Sequence, residues 1–167
     1  ENPTFSVDGE TFRYNSTFAD SLTFDECKAV CAHEACHLAG MHHTRQGSRD
    51  GKLWNQACDY AINPLLVKEG LKLPKGALIN PTYADKSAEE IYRALALNPP
   101  PPQPKGGQGQ GKPGVNPGSA TGQFAPAPGN NPQAAQAKAQ VQVQQAAMVA
   151  RMAGAMSADM ERAIKKD

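Results

Sequence analysis

Two histidines and a glutamate stand together in His33-Glu34-Ala35-Cys36-His37, the pattern H-E-x-x-H. Residues four apart on an α-helix are displaced by only about 40° around its axis, so both imidazoles can reach one metal ion. Glu34 projects about 100° from His33. A glutamate in that place is suited to act not as a ligand but as the general base for a metal-activated water, the chemistry of zinc-dependent peptide hydrolysis. The surroundings sharpen the reading: between Ala29 and Met41 the only formally charged residue is Glu34. A helix that apolar is buried on most sides, and a buried carboxylate is costly unless it is paired or set near a cation.

Two histidines do not complete a zinc site; a third protein ligand is needed, with the fourth position open for catalysis. The chain offers two kinds of candidate. His43 completes H-E-x-x-H-x-x-G-x-x-H through His33, Glu34, His37 and Gly40, the metzincin spacing, and the adjacent His42 is a variant of the same arrangement; no Met-turn follows. Asp59 is the other. In the segment beginning at Trp54, the positions Ala57, Cys58, Ala61 and Leu65 form an apolar stripe, and Asn55 and Asp59 lie at about 100° and 140° from Trp54, at its edge. From there Asp59 can face the first helix if the two pack antiparallel; its ordinary alternative is a boundary aspartate that caps a helix or pairs with Arg45 or Arg49.

These side chains need elements to hold them. Thr23-Phe24-Asp25-Glu26 is a capping box, and no Pro or Gly follows until Gly40, so a helix is expected over about 24–40. A second is expected from about Gly51 to Ile62, interrupted at Asn63-Pro64. Leu71, Leu73, Leu78 and Ile79 fall in a loop punctuated by Pro74, Gly76 and Pro81, and Ser87-Ala88-Glu89-Glu90 caps a third helix with Ile91, Leu95 and Leu97 on its apolar side. Before them, residues 11 to 14 alternate like a short strand after an Asp8-Gly9 turn.

Beyond residue 97 the composition changes. Residues 98–132 hold ten of the fourteen prolines and eight of the fifteen glycines, with Phe124 as their single aromatic. Such a stretch buries too little apolar surface to offset its ordering entropy and is expected to be a disordered linker. Residues 133–167 are rich in Ala and Gln and space Met148, Met152, Met156, Met160 and Ile164 four apart, a helix with an apolar stripe that packs on the core or on another molecule. The foldable part, residues 1–97, carries all four cysteines, all four histidines and the only tryptophan, enough for one small core.

The charge balance, 17 Lys plus Arg against 16 Asp plus Glu with no long basic block, disfavours a nucleic-acid surface. No run of 18 apolar residues and no signal-peptide pattern is present, so neither membrane insertion nor secretion is indicated. The absence of an initiator Met suggests that the natural N-terminus lies further upstream. Cys27, Cys31, Cys36 and Cys58 lack C-x-x-C spacing and read as reduced thiols of a cytoplasmic protein.

Three separated segments, HEACHLAGMHHTR, LWNQACDYAIN and GLKLPKGALINPTYADKSAEEIYRAL, occur in an order that resembles the bacterial and phage family of metallopeptidase domains followed by a von Willebrand factor A-like domain. The similarity covers about residues 1–97 and reaches in part to MVARMAGAMSADMERAI. The resemblance implies a chain that begins inside that domain and stops before the von Willebrand-like one. It also implies that His42 and Arg45 follow the H-E-x-x-H run and that an Asp stands four residues before an Asn, here Asp59 and Asn63. The implied fold is α+β: a mainly helical zincin-like domain with a small sheet, then the linker and the C-terminal helix.

On that resemblance the third ligand moves to Asp59, because the family commonly lacks a glycine at the position of Gly40. The expectation is then a zinc peptidase acting on a protein or peptide substrate. His33, His37 and Asp59 would hold Zn2+ and Glu34 would be the catalytic base, while Arg45, His42 and Tyr60 are candidates to stabilise an oxyanion. A catalytically inactive, metal-stabilised interaction module working with a von Willebrand factor A-like partner is the alternative; its site would be closed by His42 or His43 together with Asp59.

Overall fold

The computed structural model of the chain describes residues 4–8, 11–98 and 123–124, with positions 133–134, 137–138, 140–141, 144 and 162. The order of elements is β1 (Phe5–Val7), β2 (Phe12–Tyr14), α1 (Ser16–Ser21), α2 (Phe24–Ala39), α3 (His42–Arg45), α4 (Gly51–Lys68), a 3-10 turn (Pro81–Tyr83), α5 (Ala88–Leu97) and β3 (Gln123–Phe124). The fold is α+β and mainly helical. Its small sheet has the order β2-β1-β3, with β1 antiparallel to β2 and parallel to β3. No helix among the described residues is long and apolar enough to cross a membrane.

Helix α2 starts where its sequence signals. The Thr23 hydroxyl accepts from the Glu26 backbone N–H at 3.3 Å while the Glu26 carboxylate accepts from the Thr23 N–H at 2.9 Å, so the capping box is complete. The helix ends at Ala39, with Gly40 as its C-cap. Gly40 itself has an ordinary backbone, φ −78°; the left-handed residue is Met41, at φ 49°. Ser87 and Glu90 form the same reciprocal box at the start of α5.

Helix α4 corrects the expected boundary at Ile62. It runs on to Lys68 with Pro64 inside it. A proline there withholds an N–H from the Tyr60 carbonyl and costs about 3 kcal/mol in an otherwise regular helix. Continuation is favoured by burial on two sides: α4 packs on α5 through Trp54, Cys58, Ala88, Ala57, Ile91 and Leu95, and on α2 along another face. Because the helix passes through residue 63, Asp59 and Asn63 share a face one turn apart.

The sheet covers the other side of α2. Phe5 of β1, Phe18 of α1 and Val30 of α2 form a small core, with Phe5 and Phe18 rings edge to face at 5.9 Å between centroids. Strand β2 lies where the alternation of residues 11–14 places it, but β1 and α1 are additions to the sequence reading. β1 is three residues long and buried throughout, so it has no alternation to read, and α1 spans six residues with Phe18 alone buried. Within the Pro/Gly-rich stretch, Gln123–Phe124 pair with Ser6 and Val7 as a third strand. The rest of the expected linker, and the Met stripe from Met148 to Ile164, lie outside the described residues.

Since α2 carries His33, Glu34 and His37 and rests on its cap for its first turn, Thr23→Ala is expected to lower global stability by about 1 kcal/mol. The check is a urea unfolding curve, whose midpoint should fall with an unchanged slope.

Candidate metal centre

Helices α2 and α4 bring three acceptor-capable side chains to one point. His33 Nε2 lies 2.8 Å from His37 Nε2, and Asp59 Oδ1 lies 3.3 Å from the first and 3.2 Å from the second. All three residues are fully buried. The structure thus brings His33 and His37 together with Asp59, whose place is not the edge of the apolar stripe but its interior, facing α2. The other Asp59 oxygen, Oδ2, accepts from the Asn55 amide at 3.4 Å.

The protonation of His33 follows from its neighbour. Asn63 Nδ2 donates to the Leu78 carbonyl at 3.0 Å, which leaves Asn63 Oδ1 facing His33 Nδ1 at 2.9 Å. An amide oxygen only accepts, so His33 Nδ1 carries the proton and, in the neutral ring, Nε2 presents its lone pair to His37 and Asp59. The Leu78 carbonyl, in the loop between α4 and the 3-10 turn, was invisible in sequence because a backbone acceptor carries no residue signature.

Burial is the main force on the titration of His37, His42 and Glu34. It pulls the His37 imidazole down to about 4, helped by the neighbouring His33 and opposed by Asp59, and holds His42 well below the usual histidine range. Burial, with a smaller push from the Asp59 carboxylate, raises the Glu34 carboxyl to about 9. Neither Glu34 oxygen has a hydrogen-bond partner, and Asp59 Oδ1 has none. Orphaned buried acceptors of this kind are stabilised by a cation.

The residues fit a divalent metal ion on two counts. Their donor set, two imidazoles and a carboxylate, is that of many zinc sites, and separations of 2.8–3.3 Å are close to the roughly 3.3 Å edge of a tetrahedron built from bonds of about 2.0 Å. The remaining histidines stand elsewhere. His42 meets His37 on the opposite side of its ring, Nδ1 to Nδ1 at 3.0 Å, and so does not converge with the two Nε2 atoms. His43 is buried with Nδ1 unpartnered and belongs to neither group of metal-capable side chains among the described residues; Asp8 is the charged side chain that acts on it.

The oxyanion candidates are also placed. The Arg45 guanidinium makes bonds of 3.2, 2.8 and 2.7 Å to the Glu89 carboxylate and donates to the Gly40 carbonyl at 2.7 Å. It therefore ties the α2–α3 corner to α5, a structural role. Tyr60 stacks edge to face on Tyr83, 5.1 Å between centroids, on the α5 side of α4. None of the four cysteines is in a disulfide.

A family model described as "Putative metallopeptidase domain" matches residues 2–167 of the chain. No curated protein and no solved structure matches it.

In the metal-free protein, folded Glu34 keeps its proton to about pH 9 whereas the unfolded chain releases it near 4.5. The folded state therefore binds more protons across that window, and Glu34 lowers stability progressively as pH rises through it. Glu34→Gln is expected to be more stable than the parent in chelator-treated samples, with an advantage that grows from pH 5 to about pH 9. Denaturation at several pH values measures it; a constant difference would contradict the burial argument.

Proposed function

Since the chain belongs to that family, we propose that it hydrolyses peptide bonds as a zinc-dependent peptidase, with His33, His37 and Asp59 holding the ion and Glu34 as general base. The observation that carries this reading is the convergence of His33 Nε2, His37 Nε2 and Asp59 Oδ1 beside a carboxylate that has no partner. Zinc supplies Lewis acidity there, acidifying water and polarising a scissile carbonyl.

The chain's own groups divide the remaining work. Asn63, locked by the Leu78 carbonyl, keeps the His33 proton on Nδ1 and its lone pair on Nε2. The Asp59 carboxylate offsets one of the two positive charges, so a net positive site remains for an electron-rich carbonyl oxygen. Glu34 is protonated in the metal-free interior, and a nearby cation favours its charged form. Only then can it accept a proton from the attacking water and pass it to the leaving amine nitrogen. Exclusion of solvent from His33, Glu34, His37 and Asp59 strengthens every one of these interactions, and it also means that a peptide gains access by displacing chain that covers them.

The closed, non-catalytic site of the alternative reading would need His42 or His43 beside Asp59 as a further ligand. Neither stands with the His33 and His37 Nε2 atoms.

Elemental analysis of the purified full chain is expected to give one zinc per chain, lost in Asp59→Ala and in His33→Ala. Glu34→Gln should retain the zinc while hydrolysis of a fluorogenic peptide library falls by about 10²–10⁴-fold, the usual contribution of a general base. Wild-type protein that takes up no zinc would refute the metal centre, and undiminished hydrolysis by Glu34→Gln would refute the role of Glu34.

A further inference from the structure

His42 is fully engaged just outside the three-residue cluster. Its Nδ1 lies 3.0 Å from His37 Nδ1, with the two rings nearly perpendicular at 78°. At that distance the two nitrogens share a single proton, one donating and the other accepting. The direction matters to the other end of the His37 ring. If His42 donated, a neutral His37 would carry its own proton on Nε2, in the middle of the cluster, where it would block ligation. If His42 accepts, the proton sits on His37 Nδ1 and the Nε2 lone pair faces His33 and Asp59.

His42 is held in place from several directions. The Trp54 indole N–H donates to the His42 carbonyl at 3.0 Å, and the His42 ring meets the Trp54 ring edge to face at 6.0 Å between centroids. On the third side the ring lies over Gly40: a Cβ added there would come within 2.7 Å of His42 Nε2 and 3.1 Å of its Cδ2. Gly40 has φ −78°, which any residue adopts, so its lack of a side chain serves the close approach of this imidazole and not the backbone. Asn63 acts on His33 in the same sense, as an acceptor at Nδ1.

We propose that His42 is a positioning residue: it accepts the Nδ1 proton of His37 and so presents the His37 Nε2 lone pair to a divalent cation shared with His33 and Asp59, in a slot that Gly40 keeps open. The proposal rests on the metal centre described above. Its competitor uses the same two histidines, because His37, His42 and Cys58 also lie close enough together to hold an ion of their own, with His37 bridging two metals.

The test compares zinc affinity, measured by competition with a chromophoric chelator, in the full chain and in His42→Ala, His42→Asn, Gly40→Ala and the Gly40→Ala/His42→Ala double variant. His42→Ala should still bind one zinc but about 10–100-fold more weakly, the usual loss when the outer partner of a ligand histidine is removed. His42→Asn should recover most of the affinity, because its amide oxygen occupies about the place of Nδ1 and can accept the same proton. Gly40→Ala should resemble His42→Ala, and the double variant should be no weaker than His42→Ala alone.

A readout that packing alone would not move is the His37 Nδ1 proton, observed by NMR of the ¹⁵N-labelled zinc-loaded protein. It should persist in wild type and His42→Asn and be lost to exchange in His42→Ala. Should His42→Ala fail to fold, Gly40→Ala still reports on the ring's position with His42 in the chain. Unchanged affinity in His42→Ala or Gly40→Ala, or no rescue by Asn, would overturn the proposal. Two zinc ions in wild type, the second lost with His42, would overturn it in favour of the bridged pair. Wild type that binds no zinc would refute the metal centre itself, and the positioning role with it.

Discussion

Three lone-pair-bearing atoms from two helices are held within 3.3 Å of one another in an interior that water does not reach. Acceptors do not gather in this way without a cation or a proton between them, since each has lost its hydration on burial. Much of the surrounding fold meets that constraint. The capping box fixes the start of α2, burial on two faces carries α4 past Pro64 to bring Asn63 beneath His33, and the Arg45–Glu89 pair fastens the corner from which His42 reaches His37.

The arrangement is layered outward from the cluster. His33 and His37 each have an acceptor at Nδ1, Asn63 for one and His42 for the other, and each of those is anchored in turn, by the Leu78 carbonyl and by the Trp54 indole. Helices α4 and α5 hold the second layer through Trp54, Cys58 and Ala88 on one contact and Ala57, Ile91 and Leu95 on the next. A side chain fixed by packing and by a hydrogen bond beyond the metal loses little freedom when the ion binds, which is how a small domain can hold a site to sub-ångström tolerance. Glu34 stands apart from this network, the one group in the centre left without a partner on either oxygen.

Much of the scaffold was legible in sequence because its signals are local. The two capping boxes, the run free of Pro and Gly from Thr23 to Gly40 and the H-E-x-x-H spacing each depend on residues within a few positions of one another. The Pro64 signal misled for the opposite reason: a local penalty of about 3 kcal/mol is outweighed by contacts to α2 and α5 that no window of sequence contains. Asp59 read as an edge residue because a polar side chain scores against a core, although a buried polar cluster needs an acidic residue on that inner face. Strand β1 and helix α1 are too short for periodicity to register. Gly40 showed as a helix stop, and its closer purpose, room for the His42 ring, is a contact in space.

X-ray absorption at the zinc edge of the loaded full chain bears most directly on the claim that His33, His37 and Asp59 hold the metal. A shell of nitrogen and oxygen at about 2.0–2.2 Å is predicted, with the outer-shell scattering of two imidazoles and no sulfur. Replacing Asp59 by Ala should remove the signal of bound zinc altogether. A sulfur neighbour at about 2.3 Å would place Cys58 in the shell, and a single imidazole would leave His33 or His37 out of it; either result would contradict the centre described here.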